Sequence, residues 1–216
     1  MVALLVLLQP HPQAGEVRGH ITILEKGNRP SSDLGDAVVY LDGGAPAPPR
    51  SQSFEIATSD KAFVPHVAAV PLGSTVRFVN HDPFDHNVFS VSEPNQFDLG
   101  RYGRGLAKSH VFATAGLVRV FCNIHPRMVA FVQVLATRHF TQPAADGSFA
   151  IAGVTPGRYT VHVWHERSPE VAREVTVGAN GVSDVAIELD ARGFRWIPHK
   201  NKHGQDYPTN AGRERY

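Results

Sequence analysis

Apolar and polar positions alternate along most of this chain. In "GEVRGHITIL", "DAVVYLDGG", "QSFEIATS" and "PHVAAVPLGSTVRFVN" the apolar residues recur at every second position and the runs end at Gly, Pro, Asn or Asp. That is the period of a strand with one buried face. The pattern returns in "HNVFSVS", "KSHVFATAG", "LVRVFC" and "AFVQVLA", then in "GSFAIAGV", "GRYTVHVWHE", "AREVTVG" and "SDVAIELD". No segment holds a 3.6-residue period beyond a turn or two, and no solenoid-type repeat is visible. The pattern predicts an all-β protein.

Three stretches break it. "GAPAPPRS" at 44–51 is a Pro-rich interruption between two groups of strands. The tail from 191, "ARGFRWIPHKNKHGQDYPTNAGRERY", is basic and polar with little periodicity, and is expected to be extended, laid over the protein through Phe194 and Trp196. The start, "MVALLVLLQPHPQAGE", carries an apolar run from Val2 to Leu8 that is far too short to span a bilayer. It resembles the apolar core of a secretory signal, cleaved near Ala14, although no basic residues precede it. Residues 1–15 are therefore read as a signal-peptide remnant, and the protein as periplasmic or otherwise extracytoplasmic. A buried first strand is the alternative.

Composition narrows the classes. With 216 residues, 42% hydrophobic and 19% charged, the chain is long enough for a real core and is globular rather than disordered. A net charge of +1 gives no reason to expect nucleic acid as a partner, and no transmembrane span is expected. A single cysteine excludes an intrachain disulfide and leaves the compartment open on that count.

That cysteine carries the chemistry. "FCNIHPRM" holds Cys122, His125 and Met128, the last being the one methionine besides Met1, in the spacing C-x2-H-x2-M. Strand alternation in "LVRVFC" puts Val118, Val120 and Cys122 on one face and Leu117, Arg119 and Phe121 on the other. Cys122 thus ends a strand on its inner side. A new strand follows Met128, with Val132 and Val134 on one face and Gln133 on the other. His125 and Met128 fall on the short loop between the two strands. A soft thiolate, an imidazole and a distant thioether suit copper in the trigonal His2Cys arrangement with a long axial Met. The second histidine it needs is expected in "FVNHDPFDHNVF" as His86, at a strand end. Asn87 beside it is expected to tie the two ligand loops together, with Asn123 and Asp85 as further neighbours of the site. His81, five residues earlier, is the competing assignment, but "NHDP" reads as a turn.

"HNV" followed by "FCNIHPRM" resembles the cupredoxins, blue type 1 copper proteins of the amicyanin/plastocyanin-like group, and C-x2-H-x2-M is similar to the short ligand loop of amicyanin, plastocyanin having a longer one. The resemblance covers about 52–135 and includes the lead-in "KAFVPHVAAVPLGSTVRFVN". It implies a Greek-key β-barrel, one copper held by His86, Cys122, His125 and Met128, and single-electron transfer with His125 as the port. Phe84, Pro126 and Arg127 around it would dock a redox partner, a dehydrogenase or a c-type cytochrome. The residues between Cys and His, Asn123 and Ile124, and the acidic Asp85 depart from the family pattern. "ADGSFAIAGVTPGRYTVHVWHE" in turn resembles the carboxypeptidase regulatory-like (transthyretin-like) β-sandwich, and "GEVRGHITI" and "DAVVYLDG" resemble its first strands. The pair is similar to exported proteins called methylamine utilization proteins. The domains implied are a discontinuous sandwich, 16–48 and 138–190, with a cupredoxin at 49–137 inserted into it and a basic tail at 191–216.

The remaining histidines weigh less. His162 and His165 fall on opposite faces of one strand and cannot share an ion. His199 and His203 lie in the tail, and His110 has no assigned role. Arg101, Arg104, Lys108 and Arg127 form either a basic rim at the metal end or scattered solvated charge. No H-x-H pair, nucleophile–base constellation or phosphate loop occurs, and "GRYGRG" does not fit a dinucleotide motif. Three strong ligands plus an axial thioether leave no open position for a substrate, so an enzyme is not expected. Copper storage or delivery without electron transfer, and a structural β-sandwich with a vestigial metal loop, are the alternatives.

Overall fold

The computed structural model describes residues 14–44 and 48–207. The Val2–Leu8 run, the middle of the Pro-rich break and the end of the tail lie outside them. In chain order the strands are β1 (Gly15–Glu25), β2 (Arg29–Pro30), β3 (Val38–Gly43), β4 (Ser53–Ser59), β5 (Ala62–Val64), β6 (Val67–Pro71), β7 (Thr75–Asn80), β8 (His86–Ser90), β9 (Phe97–Tyr102), β10 (Ala107–Val111), β11 (Gly116–Phe121), β12 (Val129–Leu135), β13 (Phe140–Thr141), β14 (Ser148–Val154), β15 (Gly157–His165), β16 (Ser168–Val177) and β17 (Val182–Asp190). The chain is all-β, relieved only by a single 3-10 turn at Leu34–Asp36 among the described residues.

Strand pairing sorts these elements into two sandwiches. In the first, β1 lies between β14 and β17, with β2 on its end, and faces a sheet ordered β13-β3-β15-β16. The N-terminal strands are thus completed by the C-terminal ones: β1 pairs antiparallel with β14 and parallel with β17. Alternation makes the core. Val17, Ile21 and Ile23 from β1 meet Val185, Ile187 and Leu189 from β17 and Tyr159, Val161 and Val163 from β15. Each fully buried side chain of this size contributes about 1.5–3 kcal/mol. Gly19 is required at its position, because a Cβ there would sit 2.1 Å from the Val185 carbonyl oxygen and 2.6 Å from the Phe149 ring.

The second sandwich is built from β4 to β12 alone, as sheets β10-β7-β4-β5 and β6-β12-β11-β8-β9. The chain passes back and forth between them, which yields the parallel pairs β4–β7 and β6–β12 among antiparallel neighbours. Ile56, Val76, Phe78, Val88, Phe112, Val118, Val120, Val132 and Val134 fill the space between the sheets. Cys122 and Met128 belong to the same cluster, at the end where β8, β11 and β12 open into loops.

The outer faces of the two sandwiches join. Trp164, opposite in parity to Val163, leaves the first core and packs with Val38 against Val67, Ala69, Phe131 and Leu135. The Trp164 and Phe131 rings lie 5.4 Å apart. At the rim, His66 Nε2 meets Glu166 Oε1 at 2.8 Å while its Nδ1 lies 3.2 Å from the Val129 carbonyl. His162 and His165 face apart: His162 stacks on Tyr40 at 4.8 Å, and His165 is fully buried near Asp33.

The hydrogen bond to Glu166 lifts His66 above its ordinary value, against the lowering effect of burial. A base raised on folding contributes its stability in full below its unfolded pKa, near 6.5, and loses it as pH rises through the higher folded value. The melting-temperature gap between wild type and His66→Gln is therefore expected to be widest near about pH 6 and to close toward about pH 9. A gap independent of pH over that window would show that the ionised pair contributes nothing.

Candidate metal centre

Three donor atoms from two loops converge at the end of the second sandwich. Cys122 follows β11, His86 opens β8, and His125 lies on the loop that leads to β12. Cys122 Sγ is 3.6 Å from His86 Nδ1 and 3.6 Å from His125 Nδ1, and the two nitrogens are 3.2 Å apart. The point equidistant from all three lies about 2.0 Å from each, which is a metal–nitrogen bond length and a little under a metal–sulfur one. These three form the one group of potential metal-holding His, Cys, Asp and Glu side chains found among the described residues. His86 and Cys122 are fully buried.

Met128 comes in with the loop. Its N–H donates to the His125 carbonyl at 3.0 Å, and its own carbonyl accepts from the Cys122 N–H at 3.3 Å. The loop thus closes on itself, and the Met128 side chain, 1% exposed, is packed in the core beside Cys122.

A residue absent from the sequence reading sets the proton on His86. Asp82, four positions earlier in "NHDP", is buried and places Oδ2 2.7 Å from His86 Nε2. Burial opposes its charge, but hydrogen bonds from His86 and from the amides of Lys61 and Asp60 prevail and hold Asp82 below the usual carboxylate range. An ionised carboxylate only accepts, so Nε2 carries the hydrogen and Nδ1 turns its lone pair toward Cys122 and His125. Burial lowers His86 more than Asp82 raises it, which keeps the imidazole neutral and a competent ligand. Asp82 is itself held. Its N–H donates to Asn80 Oδ1 at 2.9 Å, Thr58 donates to the same oxygen at 3.0 Å, and Asn80 Nδ2 donates to the carbonyls of Phe84 and Tyr102.

The sulfur has mixed surroundings. Burial pushes the Cys122 thiol up, although N–H groups of Asn87, Ile124 and His125 favour the thiolate. A dry thiol ringed by amides and two imidazoles is set up for a cation, whose charge removes the cost of ionisation. The donor set and its spacing therefore fit a metal.

The other residues expected near the site are placed differently. The Asn87 side chain turns to β9, where its Nδ2 donates to Asp98 Oδ1 at 2.7 Å, while its backbone N–H faces the Cys122 sulfur. A further bridge runs through the tail. Lys202 Nζ reaches Asp98 Oδ2 at 2.6 Å and the Lys202 N–H donates to Asn123 Oδ1 at 2.9 Å. Asp85 points outward to Arg101 at 3.2 Å and influences His86 only by its charge. His81 is exposed and outside the converging group. Phe84 packs 5.4 Å from the His125 ring and 5.3 Å from that of His86, with Pro126 half-buried and Arg127 exposed beyond. Of the basic residues, Lys108 turns back onto the Leu99 carbonyl. His110 stacks on Phe97 at 4.2 Å, a packing role.

The tail also departs from expectation. Phe194 and Trp196 are 42% and 53% exposed, lining a groove beside Phe121 and Phe131. His199 anchors the tail, lying 4.2 Å over the Phe121 ring, together with Tyr207, whose hydroxyl donates to the Cys122 carbonyl at 3.0 Å.

No family model matches the chain, and no curated protein does. Parts of solved structures are similar. A copper-containing nitrite reductase (NirK) from Thermus scotoductus SA-01 is 27% identical over 38% of this chain, with a TM-score of 0.36, and this chain spans 22% of its length. A purple cupredoxin from Nitrosopumilus maritimus is 26% identical over 38% of this chain and 98% of its own, with a TM-score of 0.35. A reduced Cu(I) form of an amicyanin variant is 23% identical over 38% of this chain and 82% of its own, with a TM-score of 0.37.

Asp82→Ala strips a partner from His86 Nε2 and from the amides of Asp60 and Lys61. Leaving such groups unsatisfied costs about 1–3 kcal/mol each when buried. Chemical denaturation of the metal-free protein should show a loss in that range, and an unchanged midpoint would remove Asp82 from its organising role.

Proposed function

We propose that this chain is an exported copper protein of the cupredoxin type that passes single electrons between redox partners. One copper per chain would be held by His86, Cys122, His125 and Met128. The observation that carries this is the convergence of one thiol and two imidazole Nδ1 atoms at 3.2–3.6 Å inside a β-sandwich core. Thiolate, imidazole and thioether together favour copper over hard-ligand cations. When bound, copper supplies a one-electron couple.

The chain's own residues do the rest. Asp82 keeps His86 in the tautomer that presents Nδ1. The amides around Sγ and its burial in the apolar core keep the sulfur dry and its electrostatics fixed. Ligands held on both sides reorganise little when charge changes, which suits electron transfer better than storage or delivery. Phe84, Pro126 and Arg127 beside His125 would form the docking patch, small enough for a transient encounter with a dehydrogenase or a c-type cytochrome. Residues 16–48 and 138–190 are read as a carboxypeptidase regulatory-like sandwich into which the copper unit, 49–137, is inserted. The pairing of β1 with β14 and β17 supports this. The apolar start supports a periplasmic or other extracytoplasmic location.

Titration of the metal-free protein with Cu(II), followed by visible absorption and electron paramagnetic resonance, tests the centre. One equivalent should develop an intense thiolate-to-copper charge-transfer band that Cys122→Ser abolishes. A colourless product would end the copper electron-transfer reading. His125→Gly should slow transfer to a small soluble oxidant and regain the band on addition of imidazole; transfer at the wild-type rate would exclude His125 as the port.

A further inference from the structure

The segment after β17 returns from the first sandwich to the metal end of the second. It is internally braced. The Asn201 N–H donates to the Gln205 carbonyl at 2.8 Å, and Asn201 Oδ1 accepts the N–H groups of His203 and Gln205 at 2.9 and 3.0 Å. Gly204 closes this turn at φ +77, a conformation that favours glycine. The braced turn delivers four contacts to one place. His199 lies on Phe121, the residue before the cysteine, with the rings 24° from parallel. Tyr207 stands edge-on to His199 at 5.2 Å and donates to the Cys122 carbonyl. Lys202 holds Asn123, the residue after the cysteine, through its N–H. Its ammonium holds Asp98, and through it Asn87, whose own N–H faces the sulfur. Residues 121, 122 and 123 are each gripped by a different tail residue.

Merely covering an apolar face would need only the His199 ring. The hydrogen bonds to the Cys122 carbonyl and the Asn123 side-chain oxygen add nothing to that cover, yet they hold the cysteine's own backbone and the side chain of the residue after it. We propose that residues 199–207 are a working part of the metal centre, a strap of positioning residues. Tyr207 holds the Cys122 carbonyl, Lys202 holds the Asn123 side chain, and His199 closes the outer wall of the site. Opening of the ligand loop to solvent is then controlled by a segment that β-sandwich strands do not supply.

The thiol itself reports on this without any metal. The strap claim rests on the copper reading only for its second readout. In the metal-free protein, Cys122 should react with 5,5′-dithiobis(2-nitrobenzoic acid) slowly, since exchange requires access to the sulfur. Tyr207→Phe keeps the ring and removes one hydrogen bond, and should speed the reaction about two- to tenfold. His199→Ala should do the same, and the double variant should exceed either. Ile197→Ser, at an 81% exposed position just before the strap, is the control and should react at the wild-type rate. In the copper-loaded protein the two strap variants should move the charge-transfer maximum or the reduction potential, which loss of distant packing would leave alone. Equal thiol rates in wild type, Tyr207→Phe, His199→Ala and the double variant, with unchanged circular dichroism, would overturn the strap. So would an equal acceleration by Ile197→Ser. A wild-type protein that develops no band while strap variants expose the thiol would sink the copper reading and leave the strap standing. A normal band with no effect of the variants on thiol or band would do the reverse.

Discussion

The hydrogen bond from His86 to Asp82 is the interaction on which the candidate metal centre depends. A buried ionised carboxylate cannot donate, so it dictates which imidazole nitrogen bears hydrogen and which is bare. Without it, His86 Nδ1 has no reason to face the sulfur 3.6 Å away. The cost of burying that carboxylate is offset by amides of the β4–β5 turn, and Asn80 ties the same loop to β4 and β9 through Thr58 and Tyr102. One ligand's orientation is thus held by a polar network that spans three strands, and the network is satisfied only when those strands pair as they do.

The second loop is held by different means. Cys122, His125 and Met128 close a short backbone circuit, and nothing inside that circuit fixes its outer side. The tail supplies that side through Tyr207 and Lys202. Rigidity at the metal end therefore draws on both sandwiches. The strap begins in the first, and the first is docked to the second by Trp164 against Phe131 and by the His66–Glu166 pair. If the proposed copper is bound, the part without ligands still bears on the ligand loop.

Much of this was legible from alternation. Strand faces in "LVRVFC" placed Val118, Val120 and Cys122 inward, where they are buried, and "VHVWHE" placed His162 and His165 apart. Period two reads a face, because every second side chain shares one environment. It does not read what covers the outward face. Phe121 was expected outward and is buried all the same, since His199 lies on it. Asp82 lies in "NHDP", which reads as a turn, and turn chemistry is the common reason for Asp there. The signal was an acid four residues before a candidate histidine ligand, but spacing within a turn does not reveal which carboxylate is buried. Asp85, adjacent to the histidine in sequence, is exposed and pairs with Arg101.

The tail was the least legible segment, and the reason is physical. Its contacts are aromatic stacking, one backbone amide, one carbonyl and the Lys202–Asp98 ion pair, none of which needs a repeating apolar position. Backbone groups are the same in every residue, so a strap that grips through them leaves no composition signature. Large apolar residues such as Phe194 and Trp196 usually mark an anchor, whereas the ligand loop is gripped by a histidine and a tyrosine. Each has a flat face to pack and a polar atom to bond, and the join to the ligand loop calls for both at once. An apolar anchor would cover Phe121 but could not satisfy the Cys122 carbonyl, so the chemistry of the surface being gripped selects the residues that grip it.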